Sequence, residues 1–335
     1  MNHLARILNL RNFLIIIILA ISLCVPLIIE SPYILDIWIT IFLQAFLNNA
    51  WNILGGYCGQ PSFGHAAYFA IGAYTSTILF MDYNVSPWIG MIVGIFLAAI
   101  LAVAMGYPSL RLRGPYFVFI TIGFTEAIRL ILINWERVGG AMGLLIPLKQ
   151  SSLIHFQFDS KVPYYYIALL MLAAGVSMTY MIENSKLGSY FVATREDEDA
   201  AESLGINTAY YKTLAFVISA VLIALGGTFY AQYVLYIHPE TTSTLRVSCT
   251  LLAMAVIGGA GTVLGPVVGA FLLVPLEEYA RGLLGGQARG LHLIIYAAAL
   301  VVVATIAPGG IVGLISKTRL SSKIQRTIRG QGAEI

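Results

Sequence analysis

Glu126 and Arg129 lie three residues apart near the middle of the apolar run Tyr116–Ile133, and no other ionisable pair sits so deep in such a run. That spacing puts a carboxylate and a guanidinium on one helical face, within reach of each other. A charge held away from water in so apolar a segment is costly enough to mark a functional position by default. The pair is either a self-satisfied structural ion pair or part of a gate or pathway. Gln44, Asn48 and Asn52 form a second set, with Asn49 beside them. At roughly 100° per residue, steps of four drift by only about 40°, so the three amides share a face. They need partners in a hydrocarbon setting, as hydrogen bonds between helices or as the lining of a path. A third set is the interruption GGYCGQPSFGH at 55–65, which places Gln60, Ser62 and His65 in irregular backbone, with a weak echo at 258–269. Interrupted segments at membrane depth are tolerated only against protein or water, and often mark a permeation site. Two tight cytoplasmic turns are the alternative.

Other chemistry finds little support. The histidines His3, His65, His155, His238 and His292 are far apart, and no HExxH or GxSxG occurs. Cys24, Cys58 and Cys249 show no CxxC spacing and read as small buried hydrophobes, so no metal site is indicated. No GxxxxGK[ST] phosphate loop is present, so the chain is expected to carry no cofactor and to hydrolyse no ATP itself. The basic residues are too scattered for nucleic acid.

The elements that position these residues follow from composition. Of 335 residues, 59% are hydrophobic and 10% charged, against roughly 25% charged for a soluble domain. Apolar runs recur along the whole length, and several reach the ~20 residues that cross a bilayer. The expected fold is an all-α polytopic membrane bundle. Spans are expected at Phe13–Ile29, Ile34–Leu54, Phe63–Phe80, Trp88–Tyr107, Tyr116–Ile133, Val162–Ile182, Leu214–Tyr236 and Leu291–Ala307, with a broken stretch at Val247–Leu284. Arg6 and Arg11, Arg111 and Arg113, then Lys186, Arg195 and Lys212 mark cytoplasmic ends by the positive-inside rule. Lys317, Arg319, Lys323, Arg326 and Arg329 do the same for the tail. Both ends inside requires an even count, so the broken stretch is split at Gly258–Gly261, giving about ten helices, two of them short or broken. No small-x-small cleavage site follows the first run, which reads as a retained helix. The expected organisation is one membrane domain over 1–316, with a cytoplasmic loop at 183–212, and a basic tail over 317–335. Glycines four apart at Gly90/Gly94 and Gly261/Gly265/Gly269 indicate closely packed helices.

The loop 183–212 holds five of the sixteen acidic residues between Glu196 and Glu202. Thr194 is positioned to cap a helix starting at Arg195, acids in its first turn suit the positive end of the dipole, and Gly205 supplies a stop. A short exposed helix is expected between two spans.

Within it, Asp199-Ala200-Ala201-Glu202-Ser203-Leu204-Gly205 resembles the EAA-type loop of ABC importer permeases, with Asp199 where the motif has Glu. REDEDAAESLGINTAYYKTLAFVISAVL at 195–222, NNAWNILGGYCGQPSFGHAAYFAIGAY at 48–74, RLRGPYFVFITIGFTEAIRLILINW at 111–135 and GGAGTVLGPVVGAF at 258–271 are similar to the branched-chain amino acid permease family, most of all its M-type subunit. The resemblance covers about 34–314. It implies a permease subunit of the bacterial inner membrane that moves Leu, Ile or Val. Its implied partners are a homologous second permease, two cytosolic ATPase subunits using ATP and Mg, and a periplasmic binding protein. Arg195, Asp199, Ala200, Ala201, Glu202, Leu204 and Gly205 would form the coupling helix that docks on the ATPase. Relatives for urea, short amides or other small organic solutes share the architecture. A membrane enzyme has no motif in its favour, whereas an ion-coupled transporter could use Glu126 and Arg129.

Overall fold

The computed structural model describes residues 22–23, 25–26, 31–110, 116–149, 151–284 and 309–313. The expected spans at 13–29 and 291–307, Arg111, Arg113 and the basic tail lie outside the described residues, apart from a few positions of the first span. The long helices are α1 Pro32–Asn52, α2 His65–Tyr83, α3 Pro87–Ser109, α4 Tyr116–Asn134, α5 Val162–Glu183, α8 Thr208–Val234, α10 Leu245–Gly258 and α11 Gly265–Leu284. Between α5 and α8 lie two short helices, α6 Lys186–Glu196 and α7 Glu198–Ser203, and α9 Pro239–Thr242 precedes α10. Six described helical stretches are long and apolar enough to cross a membrane, the first being Pro32–Tyr57 and the last Pro239–Gly258. The expected split of 247–284 falls where α10 ends and α11 begins.

The helices start where the sequence supplies a local cap. Pro32, Pro87 and Pro239 open theirs, where the missing N–H costs nothing. Asn207 caps α8 by accepting from the Tyr210 amide at 3.0 Å, so α8 begins six residues before Leu214. At 1.5 Å per residue its 27 residues reach about 40 Å, more than a bilayer core. α8 packs along α2 and α3 and also meets α1, which is itself wrapped by α5, α10 and α11.

Small residues make that packing possible. Gly90, Gly94, Ala98, Ala102 and Gly106 recur every four residues on α3 and are buried, whereas Ile92, Phe96, Ile100 and Val103 on its other face are exposed. Lipid is as apolar as Leu, so large side chains face outward and small ones let backbones meet. At Gly72 of α2, a Cβ would lie 1.9 Å from the Ala224 carbonyl oxygen of α8. At one end of the bundle α8 turns through Leu235, at φ 59°, into β2 Tyr236–Ile237. This strand pairs antiparallel with β1 Leu144–Leu145, tying the 134–161 segment to the helix ends there.

Candidate functional site

Two interruptions of the helical pattern meet inside the bundle. α1 continues as a π-turn, Ile53–Tyr57, a departure often found at functional positions. The chain then reverses, and Gln60–Gly64 runs back into the protein. Phe63 is held at both of its backbone polar groups: its N–H donates to Thr121 Oγ1 at 3.1 Å, and its carbonyl accepts from Thr125 and Ser248 hydroxyls at 2.8 and 2.7 Å. Thr125 lies nine residues into α4, roughly 14 Å from its start, so this irregular backbone sits well below the helix ends. It is satisfied by hydroxyls from α4 and α10, as backbone shielded from lipid must be. Ser62 and His65 are fully buried. The Trp51 indole donates to the Ser62 carbonyl at 2.9 Å. Ser219 Oγ donates to the Ala50 carbonyl at 2.6 Å and lies 2.7 Å from His65 Nε2, while His65 Nδ1 faces the Ser62 carbonyl at 3.4 Å. Gln60 is partly exposed, and its backbone N–H bonds to the Leu54 carbonyl.

The amide face of α1 turns toward the second interruption. Asn48 Nδ2 donates to the Pro266 carbonyl at 2.9 Å. Asn52 takes both partners from the 259–264 loop, donating to the Thr262 carbonyl at 3.0 Å and accepting from the Gly261 N–H at 2.8 Å. Both residues are fully buried, and Asn48 Oδ1 is enclosed without a partner among the described residues. Every hydrogen bond that the Asn48 and Asn52 side chains make joins α1 to α11 or to the loop before it. Gln44, one turn earlier, lines two cavities of about 630 and 280 Å³ that also share Tyr230 and Glu277. The larger has a charged rim, where Asp36 pairs with Lys161 at 3.0 Å and accepts from the Tyr233 hydroxyl, with Glu278 beside them.

Glu126 and Arg129 do pair, at 2.5 Å, but the pair is neither closed nor buried. Arg129 also binds Glu240 of α9, and the Glu126 side chain is 47% exposed on a helix whose other outward residues include Phe119, Ile120, Leu130 and Ile131. Sequence reasoning missed Glu240, which sits 111 residues away. It also missed Thr121, Thr125, Ser219 and Ser248. The i, i+4 hydroxyls of α4 were the available signal for the first two.

The loop between α5 and α8 departs from expectation in register. Ser185 caps α6 by accepting from the Gly188 N–H, and α6 runs through Arg195 to Glu196. Thr194 is thus inside a helix, bonded to the Tyr190 carbonyl at 2.8 Å, and caps nothing. The cap of the next helix is Asp197, which accepts from the Ala200 N–H at 3.0 Å, with Glu198 and Asp199 in its first turn. Gly205 is the stop, at φ +83°, with its N–H bonded to the Glu202 carbonyl and that of Ile206 to the Ala201 carbonyl. Ala201 is 3% exposed and faces its own protein, whereas Ala200, Glu202 and Leu204 face out, Leu204 at 82%. α7 is anchored by Lys212, only 1% exposed, whose Nζ lies 2.6 Å from Glu198 Oε1. The Thr208 hydroxyl bonds Glu202 at 2.5 Å and Glu198 at 3.2 Å. Cys58 is buried as expected, but Cys249 is exposed. Cys58 is fully enclosed by the core that α1 and α8 share.

Long apolar helices, broken segments satisfied from within and lipid-facing large side chains define a polytopic membrane protein. Residues 33–304 match the family described as branched-chain amino acid transport system / permease component, and the chain belongs to that family. It is 28% identical over 281 residues to the high-affinity branched-chain amino acid transport system permease protein LivM of Escherichia coli, a match covering 75% of this chain and 66% of that protein. LivM of Salmonella typhimurium matches equally, again over just under two thirds of its length. The autoinducer 2 import system permease protein LsrC of Yersinia pseudotuberculosis is 28% identical over 162 residues, 47% of this chain and 44% of that protein. No solved structure matches.

Proposed function

We propose that this chain is the conducting permease subunit of an ATP-driven importer that carries Leu, Ile and Val from a periplasmic binding protein to the cytoplasm. In this reading it works in a bacterial inner membrane with a second, homologous permease and two cytosolic ATPase subunits, which use ATP and Mg. Both termini and the α6–α7 loop face the cytoplasm. The observation that carries the reading is α7: a short helix held by a capped start, a glycine stop and an ion pair to the buried Lys212, with Leu204 and Ala200 presented outward for a partner to grip. The half-exposed Glu126 and Glu240, with Arg129 between them, add support. Lipid does not solvate such a face, whereas water in a path or a second permease subunit does. Asn48, Asn52, Ser62 and His65 then act as the wall that holds the path open, and Gln44 as part of its lining. The resemblance to an autoinducer 2 permease supports a second reading within the same architecture, import of a different small organic solute.

The test is uptake into proteoliposomes containing the assembled complex, with the binding protein added outside. ATP-dependent uptake of labelled leucine, competed by isoleucine and valine but not by urea or acetamide, is expected. Uptake that persists without the ATPase subunits refutes the importer reading in favour of an ion-coupled transporter.

A further inference from the structure

Arg195 joins the loop helices to both interruptions of the bundle. It stands in the last turn of α6, where its charge suits the negative end of the helix dipole. Its Nη1 donates to the Gly56 carbonyl of the π-turn at 3.0 Å, and its other nitrogens hold Glu196 Oε1 at 2.5 and 3.1 Å. The second interruption meets the same guanidinium: a Cβ on Gly261 would lie 2.7 Å from Arg195 Nη1. On the side-chain stem, a Cβ on Gly59 would lie 2.4 Å from Arg195 Cγ. Gly59 and Gly261 have φ of +68° and +75°, so both backbone segments take conformations that favour glycine where they close on this one side chain. Asn52 completes the knot, since its amide holds Gly261 and Thr262. Asp197, two residues after Arg195, is the cap of α7.

We propose that Arg195 is a positioning residue for transport: it relays displacement of α7 to the π-turn of α1 and to the 259–264 loop, and so to the helices that end there. This rests on the importer reading above, in which α7 meets the ATPase, and assigns Arg195 a role inside the membrane domain rather than in docking. The side chain suits the task. A planar guanidinium can bind a carbonyl on one edge and a carboxylate on another at once, and Arg195, its side chain 35% exposed, holds the Gly56 carbonyl and Glu196 in this way.

The experiment uses the purified complex, comparing wild type with Arg195→Gln and Arg195→Lys. Three quantities are read: ATPase subunit recovered by pull-down, ATP hydrolysis stimulated by the loaded binding protein, and leucine uptake per ATP. Arg195→Gln is expected to keep wild-type pull-down and to hydrolyse ATP within about twofold of wild type, while uptake per ATP falls at least tenfold. Arg195→Lys, which keeps the charge and one bond to Gly56, is expected to recover part of that loss. Unchanged uptake per ATP in Arg195→Gln overturns the relay. Loss of pull-down in both variants also overturns it, because Arg195 would then belong to the docking surface. Failure of the wild-type chain to recruit or stimulate any ATPase is a separate result, visible before any variant is compared, and removes the importer reading itself.

Discussion

Replacing Lys212 with Met keeps an unbranched stem of similar length and removes only the ammonium, which isolates the ion pair that fastens α7 to α8. Lys212 is 1% exposed and Glu198 25%, with 2.6 Å between Nζ and Oε1. Breaking a fully buried pair costs about 3–5 kcal/mol, because a charge is stranded away from water. In Lys212→Met the stranded group is Glu198, which keeps partial access to water and the Thr208 hydroxyl at 3.2 Å, so the cost falls to about 2 kcal/mol. At about 1.4 kcal/mol per decade this corresponds to roughly a 30-fold rise in local opening. Hydrogen exchange in lipid nanodiscs reads it directly: amides of Ala201, Leu204, Gly205 and Ile206, all bonded within the α7 turn, should exchange about 30-fold faster, while those near Ser219 in the middle of α8 stay unchanged. The reverse deletion, Glu198→Ala, strands the deeper charge and should cost more. Exchange of the α7 amides within about threefold of wild type in Lys212→Met would refute the ion pair as the anchor. So would the opposite order of the two variants.

Gly72→Val puts side-chain atoms where the Ala224 carbonyl already sits, 1.9 Å from the Cβ position; neither backbone can yield cheaply, so the variant should fail to accumulate as a monodisperse protein on size-exclusion chromatography. Asn52→Leu removes two hydrogen bonds to the 259–264 loop and leaves the Gly261 N–H and the Thr262 carbonyl unpaired, a loss of about 1–3 kcal/mol per stranded group. A lowered melting temperature in detergent is expected, and an unchanged one would remove Asn52 as the tie between the interruptions. A Cβ added at Gly205 would meet nothing within 4 Å, and only the φ of +83° resists substitution. Gly205→Asn should therefore be tolerated better than Gly205→Val in the same exchange assay, since Asn enters the left-handed region at lower cost.

The helices were legible because the bilayer leaves the chain little choice. A backbone in hydrocarbon satisfies itself only in helices or closed barrels, so apolar run length places α1 through α5, and glycine breaks divide α10 from α11. Small-residue spacing on α3 likewise announced a packed face, since Gly90 and Gly94 are among the few positions where two helices come into backbone contact. The sequence placed a helix between α5 and α8 with a stop at Gly205, and both stand. What it could not supply was register. Thr194 and Asp197 are both competent caps three residues apart, and the choice falls to Ser185, which starts α6 early enough to carry the helix through Thr194 and leave Asp197 as the first free cap. Ala201 then turns inward and Leu204 outward, an outcome that no reading of local pattern contains.

The site was less legible than the fold for a related reason: its polar groups are satisfied by residues far along the chain. Asn52 finds Gly261 at a separation of 209 residues, Ser248 reaches Phe63 across 185, and Arg195 reaches Gly56 across 139. Four-residue spacing establishes that Gln44, Asn48 and Asn52 share a face, but it is silent on what that face meets. The face divides along its length. Gln44 borders a cavity, Asn48 and Asn52 grip a loop, and the Arg195 guanidinium closes on the loop and π-turn just beyond. In the importer reading, a polar stripe that runs from a cavity into a joint between two interruptions, and from there to a charged loop helix, would give a mechanical connection from one end of the bundle toward the other. In the importer reading, disturbing a link of it should therefore alter coupling while α2 and α8, which pack directly on each other, stay in place.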